Sequence, residues 1–139
     1  MTASFIVDCS LAMTWLFKDE ATPSTTKLLH RLETETALVS ALWHLEVTNV
    51  IAVAERQNRI TPAEADEFIR ELNKLDIEID YDATTRAFDH LLPLCRKYHL
   101  SSYDATYLDL AHRRKLPLAT LDEPLRKAAK KLGVKLLGK

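Results

Sequence analysis

The sequence predicts an α/β fold in which a mostly parallel sheet lies between two layers of helices. Along its 139 residues, short apolar segments alternate with longer segments of helical periodicity. Strands separated by helices are joined by right-handed crossovers, and these make neighbouring strands parallel. The two glycines are too few for a turn-rich all-β fold or a glycine-rich phosphate loop. The length suits one core, and we expect residues 1–139 to form a single domain.

Five segments have the composition of short strands. The first of them is apolar without alternation, which is typical of a strand with both faces buried. In the third, Ile77 and Ile79 alternate with polar residues, as strand residues do. The predicted strands are 4–8, 36–39, 77–79, 116–121 and 134–137.

The helices are predicted from periodicity and from their end signals. Thr22 followed by proline marks one start, and the capping box from Thr61 to Glu64 marks another. Pro93 should kink a helix, and Gly133 should end one. The helix from Trp43 is apolar nearly all round, so we expect it to be buried. The predicted helices are 11–17, one beginning near 22–23, 43–59, one beginning at 61, 82–98, 101–115 and 123–132.

Composition excludes several classes of protein. The longest mostly apolar stretch, 38–54, contains a histidine, a glutamate and an asparagine, which suit a membrane span poorly. The chain opens without a secretion signal. Cys9 and Cys95 lack the spacing of metal ligands, as do the five histidines, so free thiols in a reducing compartment are expected. These features predict a cytoplasmic protein that does not enter a membrane.

The charges are unevenly distributed although the net charge is only −1. Residues 61–90 hold nine acids and three bases, whereas residues 111–139 hold nine bases and two acids. A single lysine in such a block is best explained as a solvated surface residue, but the block as a whole favours a polyanionic partner. The candidate residues for binding such a polyanion are Arg113, Arg114, Lys115, Arg126, Lys127 and Lys130.

Four carboxylates differ from the other acids because each follows a predicted strand or lies in the first turn of a helix. In an open parallel sheet these positions share one edge, where ligands bind. We therefore expect the four side chains to converge on one catalytic site, and we call them the acid cluster. The acid cluster comprises Asp8, Glu46, Asp104 and Asp122.

Three of these acids also have a structural explanation, because Asp8, Asp104 and Asp122 could cap helices. Glu46 is harder to explain in this way, since an unpaired carboxylate on an apolar helix is costly. Converging carboxylates need a counter-charge, and an all-oxygen site suits Mg²⁺ or Mn²⁺. Such an ion can polarise a phosphoryl oxygen and orient an in-line attack.

Other polar and aromatic residues near the acids have less specific roles. Ser10 and Thr120 could orient a carboxylate or a water, or could be ordinary cap and strand residues. Asp109, five residues after Asp104, should point elsewhere and pair with Arg113 at i+4. The aromatic residues expected in the core rather than against a nucleobase are Trp15, Trp43 and Tyr107.

The acids lie in four specific sequence contexts: FIVDCS at 5–10, WHLEVTNV at 43–50, SYDATYLDLA at 102–111 and ATLDEPL at 119–125. With these segments in this order, the chain resembles PIN-domain proteins, and among them the VapC-type toxins of toxin–antitoxin pairs. The resemblance implies a PIN-like three-layer α/β/α fold and metal-dependent cleavage of single-stranded RNA. It matches the acid cluster to the family's acidic positions, Thr120 to an accessory polar position and Asn49 to an orienting residue.

The resemblance further implies a homodimer, a tRNA, rRNA or mRNA substrate and a small antitoxin. An antitoxin should present an arginine or lysine to the acid cluster and lie as an amphipathic segment between the helices at 11–17 and 26–32. Other readings are a housekeeping PIN-type nuclease without antitoxin and a non-catalytic RNA-binding module. A receiver domain would need paired acids after the first strand, and a haloacid-dehalogenase phosphatase would need an aspartate where Ser10 stands.

Overall fold

A five-stranded parallel sheet forms the centre of the computed structural model, which describes residues 2–139. The strands are β1 (Phe5–Val7), β2 (Ala37–Ser40), β3 (Ile77–Asp80), β4 (Leu118–Ala119) and β5 (Leu136–Leu137). Their order is β3-β2-β1-β4-β5, and every neighbouring pair is parallel. Helices flank the sheet, so the predicted α/β/α fold is confirmed.

Capping residues predicted from the sequence mark the starts of two α-helices and the end of a third. Thr22 and Thr61 each form a complete capping box, and Gly133 ends the last helix in a left-handed conformation with φ of 82°. The α-helices are α1 (Cys9–Ala12), α2 (Pro23–Arg31), α3 (Trp43–Arg56), α4 (Pro62–Asn73), α5 (Ala83–Arg86), α6 (Leu92–Tyr98), α7 (Ser102–Arg114) and α8 (Glu123–Leu132). Within residues 2–139 no helix is both long and apolar enough to span a membrane.

Two predicted helices differ from the structure in their geometry. The helix predicted at 11–17 begins earlier, because the Asp8 carboxylate caps α1, and it continues as a 3₁₀ turn at Met13–Trp15. The helix predicted at 82–98 is divided by a π-helical segment, Ala87–Leu91. Pro93 follows this segment, and its ring and missing N–H disturb the hydrogen bonding of the preceding turn. The kink predicted at Pro93 stays a prediction, and the structure adds a π-helical segment before the proline.

The prediction that α3 is buried all round is wrong. Trp43, Val47 and Ile51 pack into the core, whereas Leu45 is 70% exposed and Asn49 is also exposed. Because apolar residues occur on both faces of this helix, its sequence does not reveal which face packs against the sheet.

Helix α7 packs against β1, β2 and β4 and connects two charged regions of the fold. Its first turn carries Asp104, and its last turn carries Arg113 and Arg114. Arg113 donates to both carboxylate oxygens of the buried Asp80, at 3.0 and 2.7 Å. Arg114 approaches the same carboxylate at 3.3 Å.

The predicted pairing of Asp109 with Arg113 at i+4 is confirmed as an ion pair, and the structure adds Arg86 as a second partner of Asp109. Asp109 accepts two hydrogen bonds from Arg86, at 2.6 and 2.9 Å, while Arg113 is 3.5 Å away. Tertiary packing brings α5 within reach of Asp109 and offers a better partner than the neighbouring helical turn. We call the five residues of this region the arginine cluster: Asp80, Arg86, Asp109, Arg113 and Arg114.

Candidate active site

The centre of the candidate site lies where the neighbouring strands β1 and β4 end. Asp8 directly follows β1 and is 4% exposed, and Thr120 directly follows β4. The Thr120 hydroxyl donates to Asp8 Oδ2 at 2.5 Å. The Asp8 Oδ1 atom accepts from the Ser10 hydroxyl at 2.8 Å and from the Leu11 N–H at 3.0 Å. Asp8 is thus both the cap of α1 and a carboxylate fixed by three donors.

The two hydroxyl groups connect Asp8 to the chain that leads into α8. Ser10 Oγ accepts from the Leu121 N–H at 3.0 Å, and Thr120 Oγ1 accepts from the Asp122 N–H at 3.1 Å. Asp122 caps α8 by accepting from the Leu125 N–H at 3.0 Å. The structure therefore gives both Ser10 and Thr120 the orienting contacts anticipated as one of their two explanations.

Glu46 and Asp104 come from the first turns of α3 and α7. Glu46 is partly buried, and its Oε1 accepts from the Tyr107 hydroxyl at 2.6 Å. The Asp104 N–H donates to the Ser101 hydroxyl at 3.1 Å, which fixes the start of α7. The Asp104 carboxylate is also partly buried. Both side chains thus stand at helix amino ends, where the peptide dipoles favour negative charge.

Burial and neighbouring acids raise the pKa values of three residues of the acid cluster. Burial is the main cause that raises the pKa of Asp8 to about 6, and Glu46 adds to it. Burial, Asp122 and Asp8 together raise the pKa of Asp104 to about 6. Burial and Asp104 raise the pKa of Glu46, against the effect of its hydrogen bond from Tyr107. The groups that shift these three pKa values include no lysine or arginine.

A divalent cation at the acid cluster would need hard oxygen ligands. In residues 2–139 no three histidine, cysteine, aspartate or glutamate side chains are grouped closely enough to ligate one ion together. Mg²⁺ does not require such a group, because it keeps several waters in proteins and is held by one or two carboxylates. Partly buried carboxylates without a protein cation supply hard oxygen ligands and an unbalanced negative charge, so the residues present fit such an ion.

Cys9 lies beside the acids but does not offer a reactive thiolate. Burial, Glu46 and Asp8 raise the pKa of Cys9 to about 12. Because the thiolate is the nucleophilic form, the chemistry of the site must come from its oxygen groups.

The remaining predicted residues lie outside this set of contacts. Asn49 is exposed on α3. Within residues 2–139 it takes no part in the hydrogen bonds that hold the acid cluster. Arg126 donates to the carbonyl oxygens of Thr120 and Leu137, at 2.7 and 2.9 Å. Arg113 and Arg114 belong to the arginine cluster.

Arg113 and Arg126 thus have hydrogen-bond partners inside the fold, whereas Arg114 is exposed and makes longer contacts. The assignment of the basic residues to RNA stays a prediction. The predicted lysines Lys115, Lys127 and Lys130 are exposed.

Sequence reasoning missed one residue of the site. Tyr107 was predicted to be a core residue, and its ring is indeed 1% exposed, but its hydroxyl contacts Glu46. A buried phenol needs a hydrogen-bond partner, and Tyr107 lies one turn after Asp104 on the same helix. The sequence therefore indicated that the Tyr107 hydroxyl needs a partner, but it did not indicate that the partner is Glu46, which lies 61 positions away.

Comparison with known proteins agrees with this geometry. One similar solved structure is PAE2754 from Pyrobaculum aerophilum, which has a TM-score of 0.71 and 21% sequence identity over 98% of this chain and 92% of that chain. At this identity the likeness concerns the fold. A search of curated proteins found no significant match. The profile of the PIN domain matches residues 5–131, so the chain belongs to the PIN-domain family, whose members are generally nucleases that use divalent metal ions.

Proposed function

We propose that the protein is an endoribonuclease that uses Mg²⁺ or Mn²⁺ and cleaves single-stranded regions of RNA. The observation that carries the proposal is the acid cluster, in which burial and neighbouring acids raise the pKa values of Asp8, Glu46 and Asp104, and no lysine or arginine is among the groups that shift them. A bound divalent cation would polarise a phosphoryl oxygen of the substrate and orient water for an in-line attack. RNA as the substrate, rather than DNA, is inferred from the likeness of the sequence motifs to VapC-type toxins.

The protein's own groups hold and aim the carboxylates in this proposal. Ser10, Thr120 and the Leu11 N–H fix Asp8, and Tyr107 fixes one oxygen of Glu46. The site contains no reactive thiolate, and no lysine or arginine is among the groups that shift the pKa values of the acids. The carboxylates that would bind the metal are therefore the main groups available for catalysis.

The proposal is tested by incubating the purified protein with a single-stranded RNA, a hairpin RNA and single-stranded DNA of the same sequence. We expect cleavage of single-stranded RNA with Mg²⁺ or Mn²⁺ and none in excess EDTA. Asp8→Asn, Glu46→Gln and Asp104→Asn should each reduce the rate at least about a hundredfold, which is typical of losing a positioned electrostatic group. Asp66→Asn is the matched control, because Asp66 is exposed on α4.

Full activity of Asp8→Asn and Glu46→Gln would reject the site. Faster cleavage of DNA than of RNA would reject the proposed substrate and leave a metal-dependent nuclease.

We further propose that the nuclease is the toxin of a toxin–antitoxin pair. A groove of about 510 Å³ lies between the 3₁₀ turn after α1, helix α2 and helix α4, next to the predicted walls at 11–17 and 26–32. Its apolar lining includes Trp15, Leu16, Leu29 and Phe68. Its charged and titratable lining has more acids than bases: Glu33, Glu64, Glu67 and Glu71 against Lys18 and His30. An amphipathic segment with basic residues complements this groove, and a further arginine or lysine would pair with the acid cluster.

Expression in a host cell tests this role. The wild-type chain should arrest growth, the Asp8→Asn chain should not, and the product of a neighbouring small gene should rescue growth and co-purify. Glu64→Lys combined with Glu67→Lys should weaken this complex without affecting cleavage, and Asp66→Lys is the control between them. If expression of the active enzyme does not affect growth and no small partner protein binds, the hypothesis of a housekeeping nuclease is favoured instead. Sedimentation of the purified chain tests the proposed homodimer.

A further inference from the structure

The Tyr107 hydroxyl is placed differently from an ordinary core phenol. The ring is 1% exposed, and its hydroxyl donates to Glu46 Oε1 at 2.6 Å. This short bond to a carboxylate joins α7 to α3, which are separated by many residues in the chain. The ring alone would fill the core equally well as phenylalanine, so packing does not explain the hydroxyl.

The acids of the site are held to very different extents. Asp8 accepts from three donors, and Asp122 accepts from the N–H at the start of α8. In the part of the chain that the structure describes, Tyr107 gives the only hydrogen bond to the Glu46 carboxylate. Glutamate has one more rotatable bond than aspartate, so a partly exposed Glu46 depends on this contact for its orientation.

The position of Tyr107 along α7 adds a second argument. Tyr107 lies three residues after Asp104, so both residues project from adjacent turns of one helix. The same rigid element therefore supplies one acid and fixes the orientation of another. With Oε1 occupied by the phenol, Oε2 is the oxygen of Glu46 left to face a cation.

We infer that Tyr107 is a positioning residue that holds Glu46 ready for a divalent cation. The inference rests on the proposed function, because it assumes that Glu46 faces a metal ion. Partners that orient metal ligands typically change metal affinity ten- to a hundredfold when they are lost. Tyr107 should therefore control metal binding while its ring alone provides the packing.

The test measures Mn²⁺ binding to the wild type and variants by calorimetry, in the absence of RNA. Tyr107→Phe should weaken Mn²⁺ binding about tenfold and raise the Mg²⁺ concentration needed for half-maximal cleavage by a similar factor. Tyr98→Phe is the matched control, since it removes a phenol hydroxyl from a partly buried side chain on α6. In the Glu46→Gln background, Tyr107→Phe should cause no further loss of binding, because its effect passes through Glu46.

The outcomes distinguish this inference from the proposed function. If the wild type binds no Mn²⁺ and cleaves no nucleic acid, the proposed function fails. If the wild type does both and Tyr107→Phe binds Mn²⁺ equally well, Tyr107 is a core residue only and the inference is overturned. If Tyr107→Phe does not fold, fluorine NMR of the chain labelled with 3-fluorotyrosine replaces it. The resonances of the four tyrosines are assigned by removing the tyrosines one at a time. The fluorine resonance of Tyr107 must shift with Glu46→Gln, and an unchanged resonance overturns the inference.

Discussion

The two ends of α7 lie beside acids in opposite electrostatic settings. At its start, the acid cluster has no lysine or arginine among the groups that shift it, and the pKa values of Asp8 and Asp104 rise to about 6. At its end, burial would raise the pKa of Asp80, but the hydrogen bonds from Arg113 hold it below its usual range. Buried acids that serve the fold are neutralised by protein cations, whereas the acids proposed to bind metal are left without them. The presence of a neighbouring cation, rather than the degree of burial, distinguishes the acids that stabilise the fold from those proposed to bind metal.

The largest effect on stability should come from breaking the arginine cluster. Arg113→Ala leaves the buried Asp80 carboxylate with Arg114 as its remaining cation. Losing one partner of a buried pair typically costs 3–5 kcal/mol, and we expect about 3 kcal/mol because Arg114 stays. Urea unfolding measures the change, and Arg70→Ala on the exposed side of α4 is the control, with an effect within about 0.5 kcal/mol. A similarly small effect of Arg113→Ala would show that the arginine cluster does not stabilise the fold.

The acid cluster should make stability depend on pH in the opposite sense to ordinary carboxylates. Asp8 and Asp104 have pKa values of about 6 in the folded chain, against 3.8 for an aspartate in water, so the folded chain binds protons more tightly between these two pH values. In metal-free buffer the free energy of unfolding should therefore fall as the pH rises from 5 to 7, by about 2 kcal/mol. The contribution of Asp80, whose pKa is lowered, is lost only at a more acidic pH.

Unfolding curves at pH 5, 6 and 7, with EDTA and with Mg²⁺, measure this dependence. Mg²⁺ should remove most of the loss at pH 7, because a bound cation favours the charged carboxylates. A free energy of unfolding that rises from pH 5 to 7 in EDTA would contradict the assignment of raised pKa values to the acid cluster.

Matched substitutions should change stability with opposite signs in the two clusters. In EDTA at pH 7, Asp8→Asn removes a charge whose pKa shift from 3.8 to about 6 corresponds to about 3 kcal/mol of destabilisation. The asparagine amide cannot accept from all three donors, which offsets about 2 kcal/mol, so we expect a net gain of about 1 kcal/mol. Asp80→Asn should lose stability, because it leaves Arg113 without its charged partner. Equal losses in both variants would show that the two clusters do not differ.

Much of the site was predictable because strand and helix ends are local features. Asp8, Glu46, Asp104 and Asp122 were placed at one edge of the sheet from the order of strands and helices alone. Their burial and raised pKa values agree with that placement for the three acids whose pKa shifts. The role of these acids in catalysis stays a prediction.

Contacts between distant segments were not predictable from periodicity. The sequence predicted the ion pair of Asp109 with Arg113 at i+4, but it did not predict that the fold brings Arg86 to Asp109 and Asp80 to Arg113. Tyr107 was placed in the core because ring burial follows from helical pattern, whereas the acceptor of its hydroxyl depends on how α3 docks. Likewise, α3 has apolar residues on two faces, and only packing determines that Leu45 is exposed.

The smallest expected effect concerns RNA binding. It compares exposed lysines with arginines that have hydrogen-bond partners inside the fold. Lys127 and Lys130 lie three residues apart on α8, the helix that Asp122 caps, and both are exposed. In the part of the chain that the structure describes, neither lysine has internal partners of the kind that Arg126 has. In the Asp104→Asn background, which leaves RNA uncleaved, Lys127→Ala with Lys130→Ala should weaken RNA binding. Each lost phosphate contact should reduce the slope of log affinity against log salt by about 0.7. Lys74→Ala, which removes a lysine paired with Glu71 on α4, is the control and should leave the slope unchanged. An unchanged slope in the double variant would show that this face of α8 points away from RNA, and the basic block would then be only a solvated surface.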